Sequence, residues 1–120
     1  MASGGVIDSG PVTRIAHGDT EGRFRVRLRY ASGHRLTVNI FLDISQGYPV
    51  WLHYNVHLQD GFGRCVFRYD NAAHYPEMAT FPDHKHVGPD EVAVAHHRPS
   101  LRHVLAEVGQ RISGRAGQPE

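Results

Sequence analysis

From Arg23 to Tyr30 the chain alternates without a break. Arg23, Arg25, Arg27 and Arg29 fall on one side, and Phe24, Val26, Leu28 and Tyr30 on the other. A period of two is the mark of a strand with one buried face, because successive side chains point to opposite sides. Leu36, Val38, Ile40, Leu42 and Ile44 repeat the pattern after the Ser32-Gly33 turn signal. Val50–Gln59 and Arg64–Asp70 repeat it again around Asp60–Gly63. Four such segments joined by short turns predict an antiparallel meander. Pairing Tyr30 with Leu36 joins the first two apolar sets and puts Arg23 opposite Asp43. Pairing Gln59 with Arg64 gathers Tyr54, Val56, Leu58, Cys65, Phe67 and Tyr69 on one face. The other face then carries His53, Asn55, His57, Arg68 and Asp70. A slip of one residue would mix the two sets.

A helix is expected after Pro99, with Ser100 as its N-cap and Gly114 as its stop. Leu101, Val104, Leu105, Val108 and Ile112 recur at helical spacing as one apolar stripe. The fold class is therefore α+β: a four- to five-stranded antiparallel meander sheet packed on one face by a C-terminal α-helix. The fifth strand is expected near Val92–His96. Residues 1–22, rich in Gly and Ser, form an N-terminal segment with at most one short strand, at Val12–His17. Residues 23–113 form the single domain, and residues 114–120 a frayed tail.

At 120 residues the chain is long enough for one modest core. Its formal net charge of +1 does not make it broadly basic. Cys65 is the only cysteine, so an intrachain disulfide and a cysteine-based zinc cluster are excluded. It falls on the apolar face and reads as a core residue. No apolar run is long enough to span a bilayer. The start, MASGGVIDSG, has neither basic residues nor an apolar segment of the secretory kind. No membrane association and a cytoplasmic location are the expectation.

Chemistry concentrates between Phe67 and Gly88, where His74, His84, His86, Arg68, Asp70, Asn71, Glu77, Asp83 and Lys85 crowd together. Pro76 and Pro82 bar a helix there, so the segment reads as a His-rich loop leaving a strand. RNA cleavage by 2′-hydroxyl attack needs a base, an acid and positive charge near the phosphate, and no cofactor. His57, His74, His84 and His86 suit proton transfer. Arg68 and Lys85 suit the charge, and Asp70 can orient either kind of group. A second reading is a metal site of His74, His84 and His86, with Asp70 supplying an oxygen, as in a metal-dependent nuclease or hydrolase. The plainest reading is a cross-strand polar network of Arg68, Asp70, Asn55 and His53, worth about 1 kcal/mol or less. Arg25 and Arg27, on the arginine strand, suit a nucleic-acid backbone or an acidic partner. Tyr75 suits stacking on a base, whereas Phe81, beside Pro82, reads as an anchor of the loop on the core.

The run Phe67-Arg68-Tyr69-Asp70-Asn71-Ala72 is followed by His74, Pro76, Glu77, Thr80-Phe81-Pro82, His84-Lys85-His86 and Gly88. With His57, Gln59 and Asp60 ahead of it, this resembles the pattern of the TumE family, toxin halves of bacterial and archaeal toxin–antitoxin pairs. The resemblance is firm from Tyr54 to Gly88, looser to Ile112 and weak before Arg23. Three positions depart from the pattern: Ala73 stands for a proline, and Tyr75 and Asp83 for histidines. The resemblance implies a toxin neutralised by a cognate antitoxin of helix-turn-helix type, with RNA as the target suggested by the residues and homodimerisation open. The alternative is a non-catalytic binding module that uses the His-rich loop and the arginine strand to dock a protein or nucleic acid.

Overall fold

The computed structural model describes residues 6–9, 13–17 and 20–114. Among them lie eight strands: β1 (Val6–Ser9), β2 (Thr13–His17), β3 (Glu21–Tyr30), β4 (Arg35–Asp43), β5 (Val50–Gln59), β6 (Cys65–Asp70), β7 (His84–Val87) and β8 (Val92–Ala95). One helix follows, α1 (Leu101–Ser113). Strands β3 to β8 pair in order as a six-strand antiparallel meander, and β1 and β2 both pair with the outer edge of β3. The architecture is α+β, as the alternation predicts, but the sheet is wider. Two strands, not one, precede Gly22. The expected frayed tail lies outside the described residues.

The two faces divide as expected. Leu36, Val38, Ile40, Tyr54, Val56, Leu58, Cys65, Phe67 and Tyr69 are buried on one face, and Val104 and Val108 of α1 close over them. Each such aliphatic or aromatic residue contributes about 1.5–3 kcal/mol on leaving water. The register differs from the expectation by two residues. Leu28, not Tyr30, faces Leu36, and Glu21, not Arg23, faces Asp43. Arg23 instead donates from Nε to Asn39 Oδ1 at 3.0 Å. In the β5–β6 hairpin Leu58 faces Phe67, and a bulge then sets Gln59 against Cys65 rather than Arg64. A two-residue shift keeps every side chain on its face, so hydrophobicity does not penalise it. Turn chemistry chose the register. Asp60 accepts the Phe62 and Arg64 amides, and Gly63 takes a φ of 82°.

The turn between β3 and β4 lies against that hairpin loop. Gly33 has a φ of 92°, and a Cβ there would meet Gly61 Cα at 3.3 Å. Gly33→Ala is expected to cost about 1–2 kcal/mol through the left-handed backbone alone. Urea unfolding checks this; an unchanged midpoint would refute it.

Helix α1 begins at Ser100, whose side chain accepts the His103 amide, and ends at Gly114 with a φ of 81°. Its buried side is narrower than the apolar stripe suggests. Leu101 and Leu105 are 37% and 52% exposed. The helix is turned so that Glu107 meets Lys85 Nζ at 2.6 Å and the Tyr69 hydroxyl at 2.6 Å. Lys85 stands over the Phe67 and Tyr69 rings, and Arg111 adds a second cation 3.5 Å from Glu107. Burial by itself raises the Glu107 carboxyl, but the Lys85 and Tyr69 hydrogen bonds outweigh it and hold it below the usual range. Polar pairing, not apolar area, sets the rotation of this helix.

Candidate functional site

The face opposite α1 carries the ionisable residues in cross-strand rows. Arg27, Thr37, His57, Arg68 and His86 are successive partners across β3 to β7. Arg25, Asn39, Asn55, Asp70 and His84 form the next row, two residues along on each strand. Five strands at ordinary spacing cover about 19 Å. A cationic end at β3 is thus linked to a histidine–carboxylate end at β7. The segment His84–Val87, expected as loop, is a strand, and that places His84 and His86 on the same face.

Asp70, His84 and His86 are buried together. His84 Nε2 lies 2.8 Å from Asp70 Oδ1, and His86 Nε2 lies 3.7 Å from Asp70 Oδ2. His84 Nδ1 is 3.0 Å from the Pro82 carbonyl, and His86 Nδ1 is 3.1 Å from the Glu91 carbonyl. A carbonyl oxygen can only accept, so both Nδ1 atoms carry the proton and both Nε2 atoms are turned to the carboxylate. His84 therefore has no nitrogen left to exchange a proton with a substrate. The pair is arranged to orient or to ligate.

Arg68 donates from Nε to Asp70 Oδ2 at 3.1 Å and from Nη1 to Glu91 Oε1 at 2.8 Å. Glu91 has a φ of 55° in the turn between β7 and β8. A left-handed backbone costs a non-glycine residue about 1–2 kcal/mol. Here that conformation accompanies two contacts: the carbonyl holds His86 and the carboxylate holds Arg68.

The segment 71–83 is fixed at both ends. Asn71 accepts the Tyr54 amide at 3.1 Å and donates to the Leu52 carbonyl at 2.9 Å, extending the β5–β6 pairing through a side chain. The Tyr54 hydroxyl donates to Asp83 at 2.8 Å; burial first, and then Asp83, pushes that phenol well above its ordinary range. Between these ends Tyr75 leans edge-on over His84, with ring centroids 4.9 Å apart. The resulting cleft, about 430 Å³, is lined by His53, Asn55, Arg68, Asp70, His74, Tyr75, His84 and His86 among others. His74 is exposed on its rim. Phe81 is 42% exposed and does not anchor the segment.

A second groove, about 530 Å³, adjoins this cleft across Asn55, which lines both. Arg25, Arg27, Arg29, Arg35, Thr37 and His57 line it. Arg25 and Arg27 make no ion pair among the described residues. His57 Nε2 is buried without a hydrogen-bond partner. Burial first, then the charges of Arg68 and His86, lower the His57 pKa from its ordinary 6.5, with Glu91 opposing them. The neutral ring is thus favoured at neutral pH, beside the arginines of the groove.

The expected site residues are distributed as follows. Arg68, Asp70, His74, Tyr75, His84 and His86 share the cleft, and His57, Arg25 and Arg27 line the adjoining groove. Lys85 stands apart on the helix side, bound to Glu107, so it does not face the histidines between which it sits in sequence. Strand β7 explains the separation: neighbours on a strand point to opposite faces. The sequence reading missed Glu91, whose role depends on a turn conformation with no local motif. It also missed Asn71 and Asp83 as fasteners of the segment. An Asn directly after a strand that ends in Asp is the one local sign of the first.

The chain is an α+β protein with one polar, histidine-bearing sheet face and one helix-covered face. A family model described as Toxin TumE matches residues 3–112, and the chain belongs to that family. It is thus the toxin component of a toxin–antitoxin system, and membership implies an antitoxin partner. Neither curated proteins nor solved structures gave a match. No helix among the described residues is long and apolar enough to cross a membrane.

Proposed function

We propose that this toxin acts in the cytoplasm by cleaving RNA, and that an antitoxin of helix-turn-helix type neutralises it. The observation that carries the reading is the arginine-lined groove holding an unpartnered, neutral His57. Arg25 and Arg27 would hold backbone phosphates. His57 takes the proton of a 2′-hydroxyl, and the 2′-oxygen forms its bond to phosphorus. The bond to the 5′-oxygen breaks, and that oxygen takes a proton from protonated His74 across Asn55. The products are a 2′,3′-cyclic phosphate and a 5′-hydroxyl. Tyr75 offers a flat face for a base beside the cleft.

The paired variant Arg25→Ala/Arg27→Ala tests the reading. Binding of single-stranded RNA by the purified chain is expected to weaken, with the salt slope falling by about 1.4, since each single-strand phosphate contact contributes about 0.7. Cleavage products should carry cyclic phosphate ends. Unchanged RNA binding together with an absence of cleaved ends would sink the reading and favour a protein-docking module instead.

A further inference from the structure

Of the polar groups on the sheet face, Asp70, His84 and His86 are the ones the acid–base scheme leaves without work, and they are the most deeply buried. We propose that they bind a divalent first-row transition-metal ion, with one Asp70 oxygen and the two Nε2 atoms as ligands.

Four observations support this. The three donor atoms lie within 4.8 Å of one another. Around an ion with ligand bonds of 2.0–2.2 Å, tetrahedral neighbours stand about 3.4 Å apart; His84 Nε2 lies 2.8 Å from Asp70 Oδ1 and His86 Nε2 3.7 Å from Oδ2 of the same carboxylate, so each ring nitrogen is near that spacing from one of its two oxygens. Both rings point Nε2 inward while Nδ1–H is fixed on a main-chain carbonyl. That is the outer-shell hydrogen bond that fixes the tautomer of a ligating histidine.

The fixed charges also fit. Asp70 and Glu91 face the single cation Arg68, leaving one negative charge for an ion to offset. Lys85, which would oppose an ion, is on the other face. A proton shared by Asp70 and His84 would account for the 2.8 Å contact but gives His86 no purpose. A third ligand does. Two nitrogens and one carboxylate suit zinc, manganese, iron or cobalt. Their open side meets the cleft lined by Asn55, His53, His74 and Tyr75. His74, which the sequence groups with Asp70, His84 and His86, is exposed on the rim, and the other three form the ligand set. Ion binding stands apart from the RNA reading; use of the ion to polarise a phosphate oxygen rests on it.

The test uses the full-length chain, treated with EDTA, dialysed and titrated with Co²⁺ by visible absorption and with Zn²⁺ by calorimetry. One equivalent is expected, with a rise in melting temperature. Asp70→Asn, nearly the same shape, and His86→Ala should each weaken binding by about 100-fold or more, since even outer-shell losses cost 10–100-fold. Circular dichroism in EDTA confirms that they fold. His97→Ala and His103→Ala, at exposed histidines, should bind as before. Binding that survives both Asp70→Asn and His86→Ala, or that exceeds one equivalent and disappears with the exposed histidines, overturns the site. Failure to bind with intact RNA cleavage overturns the site and spares the RNA reading. Stoichiometric binding without any action on RNA supports the site and sinks that reading.

Discussion

His57→Ala is expected to slow RNA cleavage by about 10²-fold or more, the usual cost of losing a general base. The residue sits midway along the row from Arg27 to His86, and its buried Nε2 has no other partner. The pH profile identifies the base. A base works only when neutral and the His74 acid only when protonated, so kcat/KM should rise with pH through the His57 value and fall again once the acid has lost its proton. Because burial, Arg68 and His86 hold that value below the ordinary 6.5, with Glu91 opposing, the rising limb should lie below 6.5. Arg68→Gln should move the limb upward. Single-turnover cleavage across pH measures both effects. A His57→Ala rate within threefold of the wild type would remove His57 from the chemistry.

The second large effect is on stability. Glu107→Ala is expected to cost about 3 kcal/mol or more, because it leaves the Lys85 ammonium buried without its counter-charge. Both side chains of that pair are only 11% exposed. The double variant Lys85→Met/Glu107→Leu should lose much less, since neither charge remains to be compensated. The pH dependence has a definite sign. The folded Glu107 value lies below its ordinary 4.5. Its contribution is therefore present above about pH 4.5 and is lost as pH falls through the folded value. Urea midpoints at neutral and acid pH for the three proteins provide the measurement. A double variant as unstable as Glu107→Ala would show that packing rather than charge sets the cost.

What could be read from the sequence follows from where hydrophobicity alternates. The residues of β3 to β6 announce their two faces, and the site face of β5 and β6 was legible down to His57, Arg68 and Asp70. The exact partners were not, because shifting Leu36 from Tyr30 to Leu28 keeps every apolar residue in the core. Strand β7 carries His84, Lys85 and His86, polar on both sides, so no alternation marks it. Its pairing with β6 depends on tertiary contacts: Asp70 and Glu91 on one face, Glu107 on the other. The same network explains why Leu105 is turned outward despite its place in the helical stripe. Residues whose partners are far away in sequence leave no local period to read.

The cross-strand rows have a consequence for how this toxin comes into being. Each row takes one residue from each of five strands, beginning at residue 25 or 27 and ending at residue 84 or 86. No shorter stretch of chain contains either row, and pairing of the whole meander is what assembles them. On the ribosome, the residues that line the arginine groove are all made by Gln59, well before His84 and His86 exist. A chain still being synthesised therefore carries its cationic surface before it carries its histidine–carboxylate cluster.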